Sequence, residues 1–149
     1  MINSITNILD KHFDNILPIY SEIKSWEKID QNIFEDWHKR SMIDSFIFNF
    51  IKIQDLMGDK LFKITLNIIG EYRDNMSFID VVNKMEKLEL IKDSHNLRNY
   101  RLLRNNLTHE YPDDYEDIIN NLNQAILAYD NMVNIYQNIK NYLIKYEVE

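Results

Sequence analysis

Apolar residues recur along this chain at intervals of three and four, the period of a helix with one side turned to a core. Residues 2 to about 28 carry Ile5, Ile8, Leu9, Phe13, Ile16 and Leu17 in that rhythm. Pro18 sits inside the stretch. A kink or break is expected there, because proline has no N–H to donate and its ring crowds the preceding turn. A second stretch runs from about Asn32 to Leu56. Its stripe is Ile43, Phe46, Ile47, Phe50, Ile53 and Met57, with Phe48 and Ile51 off the stripe. A helix apolar on two sides is buried on two sides, and in a chain this small the second side is expected to meet a partner subunit.

Gly58 interrupts the pattern, which resumes through Leu61, Ile64, Leu66, Ile68 and Ile69 and ends near Arg73. Ser77 with Asp80 three residues on reads as a capped start of a short helix. Asp93 or Ser94 starts the next, which should end at or just before Glu110 because Pro112 disfavours helical geometry at Tyr111. Asp113 with Glu116 makes a second cap. It opens a long amphipathic helix through Ile118, Leu122, Ile126, Tyr129, Val133, Tyr136 and Leu143. The expected architecture is all-α, an up-and-down helical bundle of four to five helices in one domain, residues 1–149.

Composition sharpens this picture. Two glycines and two prolines in 149 residues leave no hairpin signals for a sheet. A chain of this size buries roughly 70% of the surface its unfolded form exposes, so a substantial core is within reach. Without cysteine there are no disulfides, thiolate metal sites or cysteine nucleophiles. The amino terminus lacks the basic-then-apolar pattern of a signal peptide. The most apolar run, Met42 to Ile53, is broken by Asp44, Asn49 and Lys52 and is too short to span a bilayer. A soluble, cytoplasmic protein without membrane association is expected. The net charge of −7 argues against broad, non-specific nucleic-acid binding, while leaving room for a small basic cleft.

Candidate chemistry is concentrated in Arg104-Asn105-Asn106-Leu107-Thr108-His109-Glu110-Tyr111-Pro112. A guanidinium steadies charge on phosphate oxygens, and an imidazole moves a proton near neutral pH. On a helix, Leu97, Tyr100, Leu103 and Leu107 form the core side, and Arg98, Arg101, Asn105 and His109 another. Asn105 lies one turn before His109, close enough to select its tautomer. Arg104 and His109 are five residues apart and converge only through a distorted last turn or across two copies. Between Lys92 and His109 the chain carries Lys92, Arg98, Arg101 and Arg104 against Asp93 alone, a basic stripe on an acidic protein. His12, His38 and His95 lack metal-ligand spacing, so no metal site is expected. Trp26, Trp37, Tyr129 and Tyr136 read as packing residues. No glycine-rich phosphate loop is present, and no cofactor is expected.

Arg104-x4-His109-x-Tyr111 resembles the signature of HEPN-domain ribonucleases, and in particular the R-x4-H-x-Y of HepT-like toxins. Ile53-Gln54-Asp55-Leu56-Met57-Gly58-Asp59-Lys60-Leu61-Phe62 is similar to the L-Q-D-x-x-G-x-K-L-F pattern of that group, with Ile53 in place of leucine. Phe78 to Ile91 also fits, with Glu89 where the family usually has glycine. The likeness covers roughly residues 40 to 130. It implies a HEPN-like bundle forming a homodimer, with the motifs of two subunits meeting in a cleft. It implies metal-independent RNA cleavage by the ribose 2′-hydroxyl, leaving a cyclic phosphate. Arg104 would stabilise the phosphorane-like transition state, and His109 would act as general base or acid. Asn105 would orient the site, and Asp55 would position the histidine or the arginine. In a HepT/MntA-type toxin–antitoxin pair, a nucleotidyltransferase antitoxin attaches AMP to the motif tyrosine, which Tyr111 matches. Two other readings of the residues stand beside this one. One is a non-catalytic adaptor or substrate-binding subunit of a nucleotidyltransferase. The other is a plain helical interaction module, with His109 as a cation at a helix C-terminus.

Overall fold

The computed structural model describes residues 2–108 and 115–148. Those residues form α1 (Ile2–Ser25), a 3-10 turn (Gln31–Phe34), α2 (Trp37–Leu56), a π-helical turn (Met57–Leu61), α3 (Phe62–Ile68), α4 (Phe78–Lys87), α5 (Ser94–Thr108) and α6 (Tyr115–Val148). No strand occurs among them. Because α2, the π turn and α3 follow one another without a gap, they make a single rod. Counted that way, the described residues hold five helices, an all-α bundle as the apolar spacing predicts.

Side-chain contacts give the directions. His12 of α1 lies 3.3 Å from Asn49 of α2, and His38 lies 3.0 Å from Glu22, so the two helices are antiparallel. The Tyr136 hydroxyl of α6 donates to Asp10 at 2.7 Å and lies 3.0 Å from the Thr6 carbonyl, while Tyr20 donates to Asp130. Thus α6 also runs antiparallel to α1. The rod and α5 are antiparallel by the ion pairs described below. The long elements α1, the rod, α5 and α6 therefore go up, down, up and down, and α4 joins the end of the rod to the start of α5.

The core runs the length of the rod. Phe46, Phe50, Ile53, Leu61, Phe62 and Leu66 are fully buried and meet Leu9 and Ile16, Val81 and Met85, and Leu122 and Met132 from the other helices. Tyr129 and Tyr136 are buried in the core stripe of α6, Tyr136 stacking on Phe13 at 4.8 Å between centroids. Trp37 corrects a sequence expectation: it is 81% exposed at the start of α2, outside the core.

Helix boundaries differ from the sequence reading in instructive ways. α1 passes through Pro18 unbroken, because Pro18 and Asp14, whose carbonyl loses its partner, both face solvent, where water replaces the missing bond. The next helix begins at Trp37, not Asn32, because Asp36 caps it by accepting from the Lys39 N–H at 3.1 Å. Gly58 does not break the rod, which widens into the π turn there. The rod ends at Ile68, before Arg73. Gly70 takes φ +78°, and the Glu71 N–H bonds back to the Leu66 carbonyl at 2.8 Å. Ser77 and Asp80 form the full capping box, with both reciprocal bonds at 3.1 Å.

α4 ends in the same closing pattern, Leu90 N–H to Met85 carbonyl at 2.9 Å, but the left-handed position, φ +63°, is held by Glu89. A side chain there costs about 1–2 kcal/mol, partly offset by the unfolded-chain freedom glycine adds. Glu89→Gly should raise stability by about 0.5–1 kcal/mol, read from the urea midpoint.

Alkaline pH tests the α1–α6 seam. Burial, then the hydrogen bond to Asp130, pushes the Tyr20 hydroxyl up from 10.0 to about 12, and burial with the Asp10 bond raises Tyr136 as well. A raised folded pKa adds stability that is complete below the unfolded value and lost as pH climbs through the folded one. The urea midpoint should therefore fall from about pH 10 to 12, and Tyr20→Phe should make that fall shallower.

Candidate anion site on helix α5

The antiparallel seam between α2 and α5 brings two acids to two arginines. Asp55 and Asp59 lie one turn apart on the rod, and Arg101 and Arg104 lie one turn apart on α5. Arg104 grips Asp55 with both prongs, Nε to Oδ1 at 2.9 Å and Nη2 to Oδ2 at 2.9 Å. This is the planar two-bond geometry that only arginine makes with a carboxylate. Arg101 reaches Asp59 with a longer contact, Nη1 to Oδ1 at 3.4 Å, and lays its guanidinium 4.3 Å from the centroid of Phe78.

Local folding explains why these groups meet. The π turn begins just after Asp55 and contains Asp59, and it rephases the rod as it enters α3. Gly58 is buried in that turn, and a Cβ placed on it would come within 3.2 Å of the Phe78 ring. Glycine thus lets Phe78 approach, and Phe78 in turn supports Arg101. On α5, Leu97 and Leu103 are buried while Tyr100 and Leu107 are partly buried, as the spacing predicts. Burial of that side fixes the rotation of the helix and turns Arg104 toward the rod.

The Asp55 bond, more than the opposing effect of burial, holds Arg104 above its ordinary pKa. The group is a permanent cation and cannot serve as proton donor or acceptor. Its role is electrostatic. Asp55 uses the Nε–Nη2 side, which leaves the Nη1 hydrogens and one Nη2 hydrogen on the outer edge. Among the described residues Nη1 has only a long contact, 3.4 Å, to the Asn105 side-chain oxygen. Asn105 itself is exposed, and Thr108 donates to the Asn105 carbonyl at 2.7 Å in the last described turn. Arg98 is partly buried, and its Nε has no hydrogen-bond partner among the described residues.

The structure brings together Arg104, Asp55 and Asn105. His109 and Tyr111 lie outside the described residues, as does the expected contact between Asn105 and His109. Sequence spacing had singled out neither Asp59 nor Phe78. Their signal was present as two acids at i, i+4 facing two arginines at i, i+3 on another helix.

A cavity of about 420 Å³ is lined by Lys92, Asn96, Leu97, Asn131, Asn134 and Asn138 among others, at the start of α5. Arg104 lies about 15 Å further along that helix, and neither it nor Asp55 lines the cavity. Among the described residues no group of three or more histidine or acidic side chains is placed to hold a metal ion, and no helix is long and apolar enough to cross a membrane. Compared with known proteins, the chain matches no family model, no curated sequence and no solved structure.

The ion pair is half-open, with side-chain exposures of 29% for Arg104 and 39% for Asp55. Solvent screens such a pair, so its stabilising effect is at most about 1 kcal/mol. Asp55→Asn should shift the urea midpoint by no more than that. If Asp55 matters, the effect will be on where Arg104 points.

Proposed function

We propose that this chain is a HepT-like, metal-independent endoribonuclease, the toxin of a toxin–antitoxin pair. The observation that carries the proposal is the Asp55–Arg104 fork. It ties the two stretches on which the resemblance rests and leaves the outer edge of the guanidinium free of the carboxylate, in the last turns of α5, where the R-x4-H-x-Y sequence begins. Glu89 adds support. The position where HepT-like chains usually have glycine is a left-handed one here, φ +63°, the conformation that favours glycine.

In this reading an RNA phosphate binds the outer Nη1–Nη2 edge of Arg104. The ribose 2′-oxygen attacks phosphorus, the bond to the 5′-oxygen breaks, and a cyclic phosphate and a free 5′-hydroxyl result. Charge grows on the non-bridging oxygens as attack proceeds, and the fixed guanidinium stabilises it. The proton leaves the 2′-hydroxyl and one is delivered to the 5′-oxygen. His109 serves one of those transfers. Asn105 orients the groups around it. Leu102, 62% exposed on α5 close to Arg104, gives a second copy an apolar contact beside it, so that a homodimer forms one groove. A nucleotidyltransferase antitoxin would add AMP to Tyr111, placing a phosphate near Arg104 and repelling RNA.

The same fork supports a second reading. A carboxylate already satisfies much of Arg104, as in a purely structural pair, and the chain would then be a non-catalytic adaptor for a nucleotidyltransferase.

Purified protein should cleave RNA in the presence of EDTA. His109→Ala should lower the rate by about 10²–10⁴ and Arg104→Ala by about 10²–10³, with helical circular dichroism unchanged. Wild-type protein inert on RNA, yet tightly bound to a nucleotidyltransferase, would establish the adaptor instead.

A further inference from the structure

The strip of α2 that carries Asp55 also carries an aromatic ring that the core does not use. Phe48, Lys52, Asp55 and Asp59 follow at spacings of four, three and four and so share one face of the rod. Phe48 is 58% exposed, whereas the other six phenylalanines are buried or partly buried. Lys52 places its ammonium 5.5 Å from the centroid of the Phe48 ring. About 10 Å further along the helix, Asp55 holds Arg104.

We propose that Phe48 and Lys52 form a stacking platform for a base of single-stranded RNA adjacent to the phosphate held by Arg104. The proposal rests on the ribonuclease reading and names how its substrate is gripped. Every nucleobase has a π face, so an exposed ring accepts any of them, and a neighbouring cation neutralises the backbone that comes with the base. Here ring and ammonium follow one another along one face of α2, and the Arg104 guanidinium of α5 meets that face at Asp55. Asp44, exposed one turn before Phe48, is the anion that ends this track.

A second copy of the chain is the rival occupant. The core of a subunit interface is depleted in charge. Phe48 instead has Asp44 and Ser45 on one side and Lys52 on the other, and its apolar neighbour Ile51 is already partly buried. That setting suits a base with its phosphate better than an apolar contact.

The test is binding of a fluorescein-labelled RNA oligonucleotide with 2′-O-methyl riboses, which cannot undergo attack by the 2′-oxygen. Fluorescence anisotropy should show Phe48→Ala binding about tenfold weaker and Phe48→Trp binding as tightly as wild type. Lys52→Ala should weaken binding and lower the salt slope by about one. Circular dichroism and sedimentation accompany each variant. If Phe48→Ala binds like wild type while Arg104→Ala is weakened, the platform is wrong and the ribonuclease reading stands. If Phe48→Ala converts a dimer to a monomer with unchanged RNA affinity per chain, the ring belongs to a second copy and the platform is overturned. If wild type does not bind the oligonucleotide, both ideas fail.

Discussion

Burial of one apolar stripe along the α2–π turn–α3 rod is the constraint from which the rest of the structure follows. Phe46, Phe50, Ile53, Leu61, Phe62 and Leu66 are buried from one end of the rod to the other, and α1, α4, α5 and α6 each pack against some part of it. A fully buried aromatic or aliphatic side chain contributes about 1.5–3 kcal/mol, so this stripe outweighs any polar contact in the molecule. The polar strip beside it is left over. Asp55 and Asp59 face α5 because the stripe next to them must face inward. Arg101 and Arg104 meet them because Leu97 and Leu103 are likewise committed to the core.

The π turn is where this arrangement is most exacting. One extra residue in a turn shifts the phase of every side chain that follows. Without it, the apolar positions of α3 would not continue the stripe set by Phe50 and Ile53. Gly58 occupies the turn where Phe78 of α4 comes in, and Phe78 carries Arg101 on its face. A backbone irregularity, a missing side chain and a cation over a ring thus form one unit. The Arg101 end of the α5 seam depends on that unit, and the Arg104 end depends on the fork with Asp55.

Much of this was legible in the sequence, and what was not has physical causes. The fold class follows from helical spacing and the scarcity of turn residues. The core faces of α5 and α6 and the Ser77 capping box follow from spacing and residue type alone. Pro18 and Gly58 misled because proline and glycine report a local cost, whereas solvent at Asp14 and packing at Phe78 decide whether it is met. Trp37 misled because a tryptophan at a helix start looks like packing until the neighbouring elements are placed. The pairing of Asp55 with Arg104 spans 49 residues of chain, and no periodicity within one helix reveals it. Only the resemblance drawn from both stretches linked them in advance, and it left open whether Asp55 positions the arginine or the histidine. Phe48 was visible as an apolar residue off the stripe, yet its cation neighbour and polar surroundings emerge only once the helix is turned.

A guanidinium held by a carboxylate is a weak stabiliser at a half-open surface and a strong device for aiming. The pair adds at most about 1 kcal/mol to folding, but it removes the rotamer freedom of a long side chain, which costs about 1.5–2 kcal/mol to order. In the proposed reaction Arg104 would therefore meet a phosphate already oriented, with the ordering cost met during folding and not at the moment of binding. Two prongs on Asp55 leave two nitrogens facing outward, which is the complement of two phosphate oxygens. Lysine could hold the same charge but not that direction, since an ammonium has no plane to fix. The choice of arginine at position 104 is thus better explained by aim than by stability. In the proposed function that argument would hold whether the anion were a substrate phosphate, the phosphate of a modified tyrosine, or both in turn.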